Sequence, residues 1–186
     1  MANDPGYGAG RQVRVIDHGR VELTCAHDVP GVTPQMILWY FTHRTKDRYQ
    51  VWHPAHQDFK VIYQSPRGHI GSIYYIKEQF ENGPLLETKL LVVEASDQVF
   101  AEKNVSWNSP GSITHRFAPI PGGTHVSSRG VLGSDLPLVG DLWNFWRHRF
   151  ELTPPALKGI FAHMDEEFQN FSKFLPAMYN ARTEKD

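Results

Sequence analysis

The chain has 186 residues, 40% of them hydrophobic and 21% charged, a balance that suits one soluble globular domain with a sizeable core. Its net charge of −1 leaves no electrostatic footprint for nucleic acid or an anionic membrane, and no apolar run is long enough to span a bilayer. The Gly-rich start Met1–Gln12 lacks the hydrophobic segment of a secretory signal, and the single Cys25 cannot form an internal disulfide, so a reducing, cytoplasmic location is expected.

Residues 1–10 read as a flexible N-terminus and 11–182 as a single domain. Gln12–Ile16 and Gly19–Ala26 read as extended, the second alternating Val21, Leu23 and Cys25 as a half-buried strand does, with Cys25 a small buried hydrophobe. Asp28–Pro34 is turn chemistry that leads into a helix, with Thr33 as its cap and Pro34 at its first position. That helix carries Met36–Phe41, and a second short one is expected over Asp47–Trp52. From Phe59 the pattern changes to strands: Val61–Tyr63, Gly71–Gln79, Glu87–Glu94, Gln98–Trp107, Gly111–Pro119 and Gly123–Gly133. Turn residues at Ser65–Gly68, Glu81–Pro84, Asn108–Gly111 and Pro121–Gly123 separate them as in an antiparallel meander. A short helix is expected over Leu136–Arg149 and a long one over Pro154–Asn180, disturbed at Pro176.

This order predicts an α+β domain in which a curved antiparallel sheet wraps a long C-terminal helix, a helix-grip. The aromatic residues, 12% of the chain with five Trp, are expected to line a cavity between the two; a helix packed flat on the sheet would give the same pattern.

The last helix carries the most informative chemistry. Leu157, Ile160, Phe161, Met164, Phe168, Phe171, Leu175 and Met178 form one apolar stripe, and at about 100° per residue His163 and Glu167 fall along its edge. Asp165 and Glu166 are expected to point to solvent. An imidazole and a carboxylate four residues apart can share one divalent cation, or form a plain hydrogen-bonded pair at the rim of the core. Further donors are needed for a metal. His53 and His56 beside a helix end are candidates, and so is Glu78, which shares a strand face with Tyr74 and Ile76. His115 and, less so, His125 sit on strands; His18, His27, His43, His69 and His148 read as surface residues.

Taken in order, Met36–Phe41, Arg48–His56, Tyr75–Glu78, Pro121–Thr124 and the His163/Glu167 pair resemble the diacetylphloroglucinol hydrolase and phloretin hydrolase family, over residues 36–179. The resemblance implies a helix-grip (Bet v 1-like) fold and zinc held by two His and two Glu, here His56, Glu78, His163 and Glu167. It also implies Tyr49 and His115 as catalytic residues near the substrate. The loop that carries the histidines is one residue shorter than the family's, so His53 stands as a rival to His56, and Gly130 lies where the family tends to carry aromatics.

The expected activity is hydrolysis of the carbon–carbon bond between an acyl group and a phenolic or polyketide-like ring by a metal-activated water, a reaction of secondary metabolism. The alternatives are a metal-dependent cyclase, isomerase or decarboxylase of an aromatic polyketide-like molecule, or a non-catalytic binder of a flat hydrophobic ligand. Two imidazoles and two carboxylates suit Zn²⁺, with Fe²⁺ or Mn²⁺ as alternatives. The expected partner is a small aromatic substrate, neither nucleic acid nor membrane, and a homo-oligomer is left open.

Overall fold

The computed structural model describes residues 10–66, 69–80, 85–107 and 110–182, without the side chain of His148. The expectations for residues 1–9, for turn positions 67–68, 81–84 and 108–109, and for the His148 side chain lie outside the described residues.

Four short elements open the fold: β1 (Gln12–Val15), β2 (Val21–Pro30), α1 (Pro34–Thr42) and α2 (Lys46–Trp52). Thr33 and Thr45 cap the two helices by accepting hydrogen bonds from Met36 N–H and Arg48 N–H. The meander follows as β3 (His56–Tyr63), β4 (Ile73–Gln79), β5 (Leu85–Ala95), β6 (Val99–Asn104), β7 (Gly111–Ile120) and β8 (Gly123–Leu132). Two helices, α3 (Val139–Phe150) and α4 (Pro154–Asn180), close the chain. No helix of the described residues is long and apolar enough to cross a membrane.

All strand pairings are antiparallel, in the order β1-β2-β8-β7-β6-β5-β4-β3. Among the described residues the edge strands β1 and β3 do not pair with each other, so the sheet stays open, and it grips α4 on its inner face. Gly122 turns the tight β7–β8 hairpin at φ +80°, where a side chain is disfavoured. A Cβ on Gly123 would lie 2.4 Å from the Val29 carbonyl oxygen, so this glycine lets β8 approach β2.

Among the boundaries that differ from the sequence expectation, two differ for a clear tertiary reason. β2 runs on through Asp28–Pro30, because these residues pair with Gly123–His125 of β8 and the ladder outweighs their turn propensity. β3 begins at His56 rather than near Phe59, because His56 pairs directly with Glu78 of β4. The long helix forms as expected and continues past Pro176.

The aromatic residues expected to line a cavity pack on one another instead. Phe41 stacks on Phe100 at 4.7 Å and Trp52 on Phe171 at 5.0 Å, while Tyr40 meets Phe171 edge-on at 5.0 Å. Within this cluster the buried Arg44 lies 5.1–5.6 Å from the rings of Tyr74, Phe59, Phe41 and Phe100 and pairs with the equally buried Glu102. A second cluster of Val21, Leu23, Cys25, Leu157, Phe161 and Met164 seats the start of α4 on β2, with Cys25 buried as expected.

Candidate metal centre

Two pairs of side chains meet between the β3–β4 edge and α4. The first is the cross-strand pair His56 and Glu78. Tyr74, Ile76 and Glu78 alternate inward along β4 and are all buried, so the face that periodicity left undecided is the inner one. The second pair is His163 and Glu167, one turn apart on the buried edge of α4. The loop after α2 is pinned to this helix: Trp52 Nε1–H donates to the Glu167 carbonyl at 2.9 Å, and Asn170 Nδ2–H donates to the Trp52 carbonyl at 2.9 Å.

The four side chains converge at short range. His56 Nε2 lies 2.9 Å from Glu167 Oε1, 3.3 Å from His163 Nε2 and 3.7 Å from Glu78 Oε1. His163 Nε2 is 3.2 Å from Glu167 Oε1, and one donor atom from each of His56, Glu78 and His163 falls within 4.8 Å of the others. None of the four is more than 8% exposed.

The neighbours fix the direction of these donors. His56 Nδ1 lies 2.8 Å from the Tyr49 carbonyl, which only accepts, so Nδ1 carries a proton and Nε2 faces the carboxylates. Tyr49 stacks flat on the His56 ring at 3.9 Å and donates its hydroxyl to Glu78 Oε1. Burial, then the Glu78 charge, push the Tyr49 pKa well above its ordinary value and keep it a donor.

His56 Nε2 thus faces a carboxylate oxygen 2.9 Å away, a contact that a proton or a cation between the two atoms makes favourable. The electrostatics agree. Burial alone would disfavour charge on His163, but Glu167, with Glu78 and Glu166 behind it, raises its pKa to about 9. Burial alone would also raise Glu167, yet His163 and His56 hold its carboxyl well below the usual carboxylate range. Two imidazole nitrogens and two carboxylates in a buried cluster are a donor set that fits a borderline divalent metal.

Of the two rival histidines, His56 enters the cluster. His53 Nδ1 accepts from Ala55 N–H at 3.0 Å and its Nε2–H donates to Glu166 Oε2 at 2.8 Å, so it stands beside the cluster with its ring 4.3 Å from that of His163. His115 is buried farther along the inner face of the sheet. Its Nδ1 lies 2.8 Å from Ser128 Oγ, its ring stacks on Phe41 at 5.3 Å, and burial lowers its pKa to about 4. His125 is at the surface, paired with Asp28 at 2.6 Å. Gly130 faces Leu23, and a Cβ there would lie 3.9 Å from the Leu23 Cβ.

Two surface assignments are corrected. Asp165 does not point to solvent but pairs with Arg11 and faces His27 Nδ1 at 3.6 Å. His27 is not a surface residue: its side chain is 11% exposed and its ring stacks on Phe168 at 4.9 Å. Glu166 points to solvent as expected, and pairs with His53. The β1–β2 edge wraps farther round α4 than a helical projection reveals; the inward alternation of Val21, Leu23 and Cys25, carried on one more step, was the signal for His27.

Comparison with known proteins agrees with this picture. Residues 13–82, which include His56 and Glu78, match the family described as the DAPG hydrolase PhiG domain. The chain is 25% identical over 179 residues to phloretin hydrolase from Eubacterium ramulus; the match covers 81% of this chain and 64% of that enzyme, so it spans less than two thirds of the relative's length. Among solved structures, KanY protein aligns with a TM-score of 0.59 and 16% identity over 83% of this chain and 99% of its own. The di-domain ARO/CYC StfQ from the steffimycin biosynthetic pathway aligns with a TM-score of 0.57 and 13% identity, over 87% of this chain and 53% of StfQ. The fold is therefore the helix-grip, Bet v 1-like one.

Proposed function

We propose that the chain is a member of the DAPG hydrolase and phloretin hydrolase family, to which it is similar, and that it carries out metal-dependent hydrolysis of the carbon–carbon bond that joins an acyl group to a phenolic ring. The observation that carries this reading is the convergence of His56, Glu78, His163 and Glu167 in one buried cluster, with His56 Nε2 2.9 Å from Glu167 Oε1.

In this reading His56, Glu78, His163 and Glu167 hold the ion, with Zn²⁺ the best fit to the donors and Fe²⁺ or Mn²⁺ the alternatives. When bound, the ion polarises the acyl carbonyl and activates water near neutral pH. Tyr49 holds Glu78 in place through its hydroxyl and His56 through its ring. His115, kept neutral by burial, hydrogen-bonds a ring hydroxyl or the developing oxyanion. Water adds across the broken bond: the acyl carbon takes the oxygen to become a carboxylic acid, and the ring carbon takes a proton. A small aromatic substrate and a reducing, cytoplasmic setting with Cys25 unpaired complete the reading.

Plasma mass spectrometry of the purified protein, paired with product masses on acylphenols, tests it. About one metal per chain, lost in His163→Ala/Glu167→Ala, together with an acid and a deacylated phenol as products, is the expected result. A wild-type chain that binds none of the three ions after reconstitution, or a product of unchanged mass, would overturn it.

A further inference from the structure

Against Phe168, which also touches His115, lies a group that the proposed reaction does not use. His27 projects inward from β2, and its Nδ1 faces Asp165 Oδ1 at 3.6 Å, while Arg11 holds the other oxygen of that carboxylate. A carboxylate there favours the tautomer with the proton on Nδ1 and leaves Nε2 as a lone pair. That nitrogen is buried and meets no hydrogen-bond donor among the described residues. Burial also lowers the His27 pKa, so the ring is a neutral acceptor. A buried acceptor without a donor is costly, and where one persists it marks a place for a ligand or a strained group.

The surroundings indicate which ligand. Phe168 directly follows Glu167, and its ring touches two imidazoles, stacked on His27 at 4.9 Å and edge-on to His115 at 5.6 Å. His27 and His115 are close enough to feel each other's charge, and both feel that of Glu167. The inner face of the sheet therefore offers two neutral imidazoles around an apolar ring, next to the carboxylate of the candidate metal centre. Only an O–H or N–H donor satisfies Nε2, and an aromatic hydroxyl beside Phe168 supplies both the donor and a flat apolar face.

We propose that His27, oriented by Asp165 and Arg11, is a substrate-positioning residue that accepts a hydrogen bond from a ring hydroxyl of a polyhydroxylated aromatic held beside Phe168. The proposal rests on the phenolic-ring reading above, but its test does not need the ring to be cleaved. The full-length purified protein is titrated with 1,3,5-trihydroxybenzene and, as a control ring without donors, 1,3,5-trimethoxybenzene. Two readouts are followed: the ¹⁵N shift of His27 Nε2 and the Kd by calorimetry.

The trihydroxy ring is expected to move the Nε2 signal of His27 and the trimethoxy ring to leave it in place. His27→Phe keeps a ring for Phe168 to stack on; it is expected to weaken the trihydroxy ring about tenfold, the size of one net hydrogen bond, without changing the affinity of the trimethoxy ring. His27→Gln, which retains an acceptor, is expected to recover part of the loss. An unmoved Nε2 signal, equal loss for both rings, or no binding of the trihydroxy ring to the wild type would each overturn the proposal. Because the shift is read in the wild type, a variant that fails to fold does not decide the outcome. Loss of hydrolysis with the Nε2 response intact would count against the reaction alone.

Discussion

The ring of Tyr49 lies flat on that of His56, with centroids 3.9 Å apart and planes 7° from parallel, while the Tyr49 hydroxyl reaches Glu78 on the next strand. One side chain thus braces both members of the cross-strand pair. Tyr49→Phe keeps the stack and removes the hydroxyl, and is expected to weaken metal binding about 10- to 100-fold, the usual effect of losing a group that orients a ligand. Competition against a chromogenic chelator measures it; unchanged affinity would reduce Tyr49 to a packing residue.

His115 predicts an acid sensitivity. Its pKa in the fold is about 4 against an ordinary 6.5, so at neutral pH the ring is uncharged in both folded and unfolded chains. As pH falls below 6.5 the unfolded chain takes up a proton that the folded one refuses, and stability drops progressively until about pH 4. The loss approaches roughly 3 kcal/mol. Urea unfolding at pH 7 and pH 4.5 should show a smaller drop for His115→Gln than for the wild type. Parallel drops would mean that the imidazole is not the group refusing the proton.

Arg44 and Glu102 form a buried ion pair inside an aromatic cage. Glu102→Gln leaves a buried guanidinium without its counter-charge and is expected to cost about 3–5 kcal/mol. Replacing both, as Arg44→Met/Glu102→Leu, is expected to cost much less, because no charge is then stranded. Chemical denaturation of the single and double variants decides whether the pair is coupled in this way.

Asn170→Ala and Trp52→Phe each remove one of the two hydrogen bonds that pin the loop after α2 to α4. Each is expected to cost about 1 kcal/mol of stability. Hydrogen exchange should show faster opening of residues 53–56 in both. Loss of stability without local opening would mean that these bonds hold the core rather than the loop.

What the sequence revealed about the site divides by range. The His163/Glu167 pair and the apolar stripe of α4 follow from helical spacing alone, and the Thr33–Pro34 helix start is equally local. The choice between His53 and His56 was not legible, because it depends on where β3 begins, and that is decided by pairing with a strand about twenty residues away. His27 and Asp165 were misread for a related reason. Spacing gives the angle of a side chain about its helix, but not how far an open sheet curls around to meet it. The aromatic surplus likewise predicted ring-rich packing without saying whether the rings face a void or each other.

The two halves of the candidate metal centre stand 107 residues apart in the chain between His56 and His163. During synthesis the β3–β4 pair emerges early and waits, with its acceptors facing inward, until the last helix has been made and docked. In the proposed reading, an ion held by all four groups is fully held only once α4 has docked on the sheet. Metal content would then report on the completeness of the molecule as well as on its chemistry: a chain that holds the ion is one whose grip has closed.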